Sequence, residues 1–395
     1  MSIKRTPWIM MALAVGMTAS AATLEERVAA LEAKKDTVAL REAMDKISAY
    51  GDARVRVGYG KRGRIGARDA SETYGDFRVL LGMNANLDEQ WQASVALATG
   101  AIPASGDVRM GNGFNGKGVG FARIYMQYTP IDEVTLFAGK MSQPWISASD
   151  LIWDSWVAPE GVAAKANVDL DDVTVLANVG AFQVEGAWSS TTSARTPIRL
   201  YTAQVAGQLA LDDTTEVLAG ASAFYWNQLR GQANGLGFNT ATAGRNNGGA
   251  AAYPRDFRVF EVFAKLSGQC TEMDLDMPYT VFAQVVDNPS GNRYKYGYLV
   301  GATLGKATEG NFEFGYDYRY LGRDAVLSIF SESTVWGGGT DGKCHRISAR
   351  YGVSSAAQVG LTAYLGKANV SQTQTGAGRN TGTVNALLFD VSASF

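Results

Sequence analysis

The chain has 395 residues, among them 45 Gly, 17 Tyr, 16 Phe and 8 Trp, with a formal charge of −2 and 19% charged residues. That charge content is below the roughly 25% of soluble domains, and the absence of a basic excess argues against nucleic acid as a partner. Two cysteines and one histidine are too few for a Cys/His metal centre, which needs three or four ligands; a Ser-His-Asp mechanism would rest on His345 alone, so no metal, cofactor or catalytic residue is expected.

The N-terminus carries Lys4 and Arg5, an apolar run from Trp8 to Met17 and the small residues Ala19, Ser20 and Ala21. This is the pattern of a secretory signal peptide over residues 1–21, with an apolar run too short to span a bilayer. Its loss removes Lys4 and Arg5 and takes the formal charge from −2 to −4. Residues 22–47 contain no Gly or Pro and are rich in Ala, Glu, Lys and Leu, good helix formers. Leu24, Val28, Leu31 and Val38 follow heptad spacing, and Leu40, Met44 and Ile47 restart it after a phase slip. The segment reads either as a short coiled coil or as a solvated periplasmic helix packed on its own barrel.

From Ser48 onward the hydrophobic period is two, so successive side chains point to opposite faces of strands. Sixteen segments show it: 50–59, 76–87, 90–99, 120–129, 134–141, 160–169, 172–182, 199–210, 215–227, 256–266, 278–287, 294–305, 310–320, 344–353, 356–366 and 385–395. Their connectors alternate. LDE, TPIDE, LDDTT, KATEG and VSSAA are short, while 60–75, 100–119, 142–159, 183–198, 228–255, 321–343 and 367–384 are long. Short turns at one end and long loops at the other predict an all-β transmembrane protein, a 16-stranded antiparallel barrel over residues 48–395 with both termini periplasmic. Sixteen strands enclose a space too wide for side chains to fill, so the polar face must line a wet lumen. Phe312, Phe314, Tyr316, Tyr318 and Tyr320 therefore face lipid, and Asn311, Glu313, Asp317 and Arg319 face water.

Arg or Lys on the lipid face near the midplane costs about 2–4 kcal/mol, which places the strand charges inside. The predicted pore-lining residues are Arg54, Arg56, Arg78, Arg123, Lys165, Arg319, Arg346 and Arg350, with Asp52, Asp76, Asn84, Asn86, Gln127, Glu261, Lys265, Lys295 and Asp317 on the same inner face. Many of them also fit as solvated wall with no selective role, since rings of charge rather than lone charges make filters. Basic residues slightly outnumber acidic ones on this face, which suggests a weak anion preference.

Several stretches carry a family resemblance: AGKMSQPWISASDLIWDSWVAPEGVAA at 138–164, YDYRYLGRDAVLSIFSESTVWGGGTDGKCHRI at 316–347, and the last strand, which ends on Phe395. In these the chain resembles the putative porin family of Gram-negative bacteria. The resemblance implies an outer-membrane, water-filled channel for passive diffusion of small hydrophilic solutes or ions. It also implies a homotrimer in contact with outer-membrane lipid and lipopolysaccharide. The terminal Phe395 resembles the C-terminal signal read by the barrel-assembly machinery. In trimeric general porins the third external loop folds into the barrel. By that resemblance loop 142–159 would set Asp150 and Asp154 across an eyelet from Arg54, Arg56, Arg78 and Arg123. The alternative is that this loop, with Trp145, Trp153 and Trp156, packs on a neighbouring subunit or caps the mouth. A different function class also fits the residues: a structural barrel that anchors a trimerising or cell-wall-binding helix. The same topology separates the two cysteines. Cys270 falls in a periplasmic connector and Cys344 near the outer rim, across an apolar band about 25 Å tall, whereas a disulfide needs Cα atoms within about 7 Å.

Overall fold

The structure, a computed structural model, describes residues 44, 46–64, 70–100, 106–111, 113–185, 197–233, 246, 252–270, 277–291, 294–368 and 380–395. The chain divides into two compact units, Met1–Ile47 and Ser48–Phe395. The expected signal peptide and almost all of the expected helix lie outside the described residues.

Sixteen strands form the wall: β1 Ile47–Arg64, β2 Ala70–Asn86, β3 Trp91–Thr99, β4 Val119–Ile131, β5 Val134–Lys140, β6 Glu160–Leu170, β7 Val173–Glu185, β8 Ile198–Ala210, β9 Glu216–Asn227, β10 Phe257–Cys270, β11 Met277–Asp287, β12 Tyr296–Gly305, β13 Phe312–Leu321, β14 Gly342–Gly352, β15 Ala357–Ala368 and β16 Asn380–Ser394. Each pairs antiparallel with its neighbours in sequence, and β16 returns to β1 with Asp52 opposite Ser394 and Arg56 opposite Asp390. The barrel is therefore closed. Closure leaves no strand edge for lipid to satisfy. A further two-residue strand, Val108–Arg109, extends the sheet along β2 above the end of the short β3, pairing at Phe77 and Asp76. It belongs to the second long loop and leaves the wall count at sixteen.

The short turns are made by their own side chains. Asp88 Oδ1 accepts the N–H groups of Gln90 and Trp91, each at 2.8 Å, and Asp212 Oδ1 accepts those of Thr214 and Thr215, each at 2.8 Å. Such aspartate caps favour a turn over strand continuation. Outward faces are apolar and exposed, as at Val55, Val57, Leu81, Met83, Val205, Val262, Val285, Phe389 and Val391. Aromatic rings gather at both ends of this band. Trp91 stacks on Tyr128 and Phe312 packs on Tyr351 at the turn rim, while Tyr201–Tyr225 and Tyr298–Tyr320 pair at the loop rim. Two aromatic girdles flanking an apolar belt are the signature of a barrel in a membrane. Phe395 joins the turn-rim end, where the Phe395 and Gly51 backbones exchange hydrogen bonds at 3.0 and 3.1 Å.

Cys270 and Cys344 are both free thiols. They end β10 and begin β14 at opposite rims, with three strands between them.

Candidate functional site

The lumen is not uniformly wet. Near the loop rim, the inner faces of β7 to β12 present Phe182, Leu200, Phe224, Trp226, Phe257, Val286 and Leu299, all buried. Loop 141–159 lies on them. Trp145 stands 4.6 Å from Trp153, and its ring meets Phe182 and Phe224 edge-on; Trp153 stacks on Trp226 at 5.5 Å and lies 5.9 Å from Phe330. Beneath this apolar layer runs a polar row in register across four strands, Asn178, Gln204, Ser222 and Glu261, with Gln284 of β11 diagonally next to Glu261. Asn178 donates to Gln204 Oε1 at 2.6 Å, Gln204 Nε2 donates to Ser222 Oγ at 2.8 Å, Ser222 donates to Glu261 Oε2 at 2.6 Å, and Gln284 donates to Glu261. Gln204 also exchanges two 2.8 Å hydrogen bonds with the backbone of Ile146. The wall thereby fixes the loop's height as well as its face.

A second loop, 322–341, completes the layer. Ala325, Val326, Leu327, Ile329, Phe330, Val335 and Trp336 are buried. Three other loops hold it. Asp154 N donates to Phe330 O at 2.7 Å; Asn246 donates to the carbonyls of Arg323 and Val326 and accepts from Ser328 N; Asn288 donates to Asp324 O at 2.7 Å. Trp336 adopts a left-handed φ of 42° and covers Gly342, where an added Cβ would stand 2.3 Å from the indole. Only glycine admits so close a ring.

On the opposite side of the barrel a cavity of about 400 Å³ remains. Among the described residues its lining includes five arginines, Arg54, Arg56, Arg78, Arg346 and Arg350, and seven carboxylates, Asp107, Asp150, Asp154, Glu313, Asp317, Glu332 and Asp390. Most of these charges are paired. Arg54 Nη2 meets Asp107 Oδ2 at 2.7 Å, Arg56 makes a two-pronged contact with Asp390 at 2.6 and 2.8 Å, and Arg350 meets Glu313 at 3.0 Å. Arg346 contacts both Asp317 and Asp150, the latter at 2.8 Å. Arg78 faces Asp52 at 3.4 Å and lies under Trp156, 4.9 Å from the ring. Trp156 in turn rests on Gly106 of the second long loop, where a Cβ would approach its ring to 2.6 Å. Loop 141–159 thus spans the barrel interior, from Asp150 at the β13–β14 wall to Trp156 at the β2 wall.

Of the pore-lining residues expected from the sequence, Arg54, Arg56, Arg78, Arg346 and Arg350 come together here with Asp150 and Asp154. Arg319 lies behind the surface, 1% exposed, between Asp150 at 2.8 Å and Asp317 at 2.9 Å. Arg123 is on the inner face of β4 and Lys165 on that of β6, where its ammonium caps the Phe137 ring at 5.5 Å; neither lines this cavity. Glu261 is in the buried polar row. The loop carboxylates differ from the expected arrangement in their contacts. Asp150 meets Arg319 and Arg346, not the β1–β2 arginines, and Asp154 turns to the backbone, accepting from Trp156 N at 2.9 Å and Ser333 N at 3.3 Å. The β1–β2 arginines have nearer partners in Asp107, Asp390 and Asp52. Their pairing follows from barrel closure and from the second loop, neither of which is local in sequence.

These surroundings set opposite proton affinities. Burial opposes ionisation of Asp150, yet Arg319 and Arg346 hold its carboxyl well below the usual carboxylate range. Burial, and then the Glu332 charge, push Asp154 up to about 7. Glu332 is also raised, by burial first and then by Asp150. His345, the lone histidine, stands on the outer wall, its Nδ1 2.9 Å from the Tyr316 hydroxyl.

Strand alternation alone does not reveal the apolar layer. Its signal was present in the two loops, whose Trp145, Leu151, Ile152, Trp153 and AVLSIF segments are too apolar for segments left in water.

Residues 64–255 match the putative porin family. The match contains the stretch 138–164 and bears out the resemblance read there. No curated protein matches the chain significantly. Among solved structures, OprB of Pseudomonas putida at high pH is similar over 91% of this chain and 97% of its own, at 13% identity and a TM-score of 0.57. Its low-pH structure gives the same coverage at 10% identity and a TM-score of 0.51. OmpT of Vibrio cholerae in its trimer form covers 88% of this chain and 99% of its own, at 13% identity and a TM-score of 0.45. At these identities the structural likeness is a likeness of fold: the closed porin barrel.

Proposed function

We propose that this chain forms an outer-membrane channel for passive diffusion of small hydrophilic solutes, with loops 141–159 and 322–341 together confining the aqueous path to the cavity beside β1, β2 and β13 to β16. The observation that carries this reading is the division of the lumen. An apolar layer of tryptophans and phenylalanines fills one side, and paired charges line the other. A barrel serving only as an anchor has no need of a charged passage kept open beside a packed layer. Five arginines and seven carboxylates line the passage, Arg319 stands behind Asp150, and burial raises Asp154 and Glu332, so the net charge of the lining is smaller than the count of its carboxylates. It therefore suits neutral and zwitterionic polar solutes, with weak ion selectivity, rather than the anion preference that counting the whole inner face suggests. The alternating signs along Arg54–Asp107, Arg56–Asp390 and Arg346–Asp150 repel apolar solutes by offering them nothing for the water they displace.

The homotrimer, the signal peptide and the periplasmic helix at 22–47 are carried as part of this proposal on the family likeness and the sequence. Purified mature protein in a planar bilayer tests the channel: stable conductance steps with a small reversal potential in unequal salt are expected. A barrel that folds and inserts but passes no current overturns the channel reading in favour of an anchor. Light scattering in detergent tests the trimer.

A further inference from the structure

β3 ends early. It pairs with β2 from Gln92 opposite Asn86 up to Ala98 opposite Leu80, while the far end of β2 reaches Ala70 at the loop rim. Lipid could not satisfy a strand edge left open there. The second long loop closes it. Thr99 Oγ1 accepts from Val79 N at 3.0 Å and donates to Gly106 O at 2.8 Å. Val108 and Arg109 then pair with Phe77 and Asp76, and Met110 N donates to Gly75 O at 2.8 Å. Arg109 adds ion pairs with Glu72 at 2.8 Å and Asp76 at 3.0 Å, and its guanidinium lies 4.0 Å from the Tyr74 ring. This strap is part of the wall, so it is held whether or not Asp107 carries a charge.

The strap's register decides where Asp107 points. Phe77 has the parity of the outward-facing Leu81 and Met83, so Val108 opposite it also faces out, and Asp107 and Arg109 face the lumen. The Asp107 carboxylate meets Arg54 Nη2 at 2.7 Å and stands 3.8 Å from Arg56 Nη1. The two arginines do not depend on it equally. Arg56 has a nearer partner in Asp390, at 2.6 Å. Among the described residues Arg54 has no ion pair besides Asp107. Asp150 of loop 141–159 is in the reverse position. Both arginines that it meets, Arg319 and Arg346, also meet Asp317, so neither loses its last carboxylate when Asp150 is neutralised.

We propose that Asp107, delivered by this wall-closing strap, is the specificity-determining carboxylate of the passage, and that Arg54 is the cation it withholds from permeating anions. With Asp107 in place, Arg54 is satisfied inside the protein by a charge-assisted contact. Without it, Arg54 faces the passage as an uncompensated charge that draws anions in and turns cations away. The inference rests on the channel reading and adds to it the residue that sets selectivity.

The test is the reversal potential of purified mature protein in a planar bilayer under a potassium chloride gradient. D107N should raise the chloride-over-potassium permeability ratio roughly fivefold, the effect of one unit charge about 4 Å from an ion's path in water. D150N should raise it less, and D107E should stay near wild type. D107N/R54Q should return the ratio toward wild type, because the pair is then removed whole. Single-channel conductance should change little in these variants, since the strap's backbone pairing is untouched. An unchanged ratio in D107N, the same shift in D107E, a shift that R54Q does not reverse, or a D150N shift as large as that of D107N overturns the proposal. A several-fold rise in D107N conductance overturns it too, because Asp107 would then be holding the strap in place. A wild type that passes no current removes the channel reading and this one with it; a conducting wild type with an unchanged D107N removes this one alone.

Discussion

Replacing Asp150 with asparagine removes a charge that two wall arginines share and leaves every apolar anchor of its loop in place. Asp150 sits 2.8 Å from both Arg319 and Arg346. Breaking a buried charge pair costs about 3–5 kcal/mol, and less here because Arg319 keeps Asp317 at 2.9 Å. Against that loss stand Trp145, Leu151, Ile152 and Trp153, each no more than 5% exposed. At about 1.5–3 kcal/mol for each large side chain buried, they hold the loop with roughly 6–12 kcal/mol, an upper figure because a detached loop also hides some apolar surface. Packing wins, so the loop stays. D150N should keep single-channel conductance within about a factor of two of wild type, while its reversal potential in a salt gradient moves toward anions, one of seven cavity carboxylates having been neutralised. Trp153→Ala removes the ring at the centre of the layer, at a cost of about 3–5 kcal/mol, and should raise conductance and broaden its distribution. The reasoning is refuted if D150N multiplies conductance several-fold while W153A leaves it unchanged, because charge and not packing would then position the loop.

Asp154 gives a pH dependence. Its folded value, about 7, lies above the 3.8 of an exposed aspartate, so the folded loop binds this proton more tightly than the unfolded chain does. The linked stability is greatest below pH 4 and falls as pH rises through 7; reversal potentials should move toward cations between pH 5 and pH 9, and Asp154→Asn should flatten that change. Arg56→Ala strands Asp390 on the seam between β1 and β16, and its thermal unfolding in detergent should occur at lower temperature than that of Arg350→Ala, whose pair with Glu313 is half exposed. Alkylation of denatured, unreduced mature protein should label two thiols per chain, and in the native barrel Cys270 should react well before the buried Cys344; recovery of a Cys270–Cys344 peptide would contradict the strand order between them.

Period-two alternation and the alternating connector lengths were enough to set the barrel, its sixteen strands, the rim that each loop occupies and the separation of the two cysteines. Each of these is a local property: a strand's faces, or the number of residues available for a turn. Strand ends were less legible. β2 begins at Ala70 and not at 76, and its partner β1 runs on to Arg64 and not to 59, while a loop strand, Val108–Arg109, pairs with Asp76 and Phe77. The site was only half legible. Alternation shows that Arg54, Arg56, Arg78, Arg346 and Arg350 point inward, but not which carboxylate each one meets. Arg56 and Asp390 are 334 residues apart and become neighbours only on closure. Nor does alternation say what folds over an inner face. Phe182, Phe224 and Trp226 point into the lumen, as their strands require, and become a packed layer only because Trp145, Trp153 and Phe330 arrive from two distant loops. Burying that apolar surface is what divides the lumen, and its free energy depends on contacts that exist only after the wall has closed.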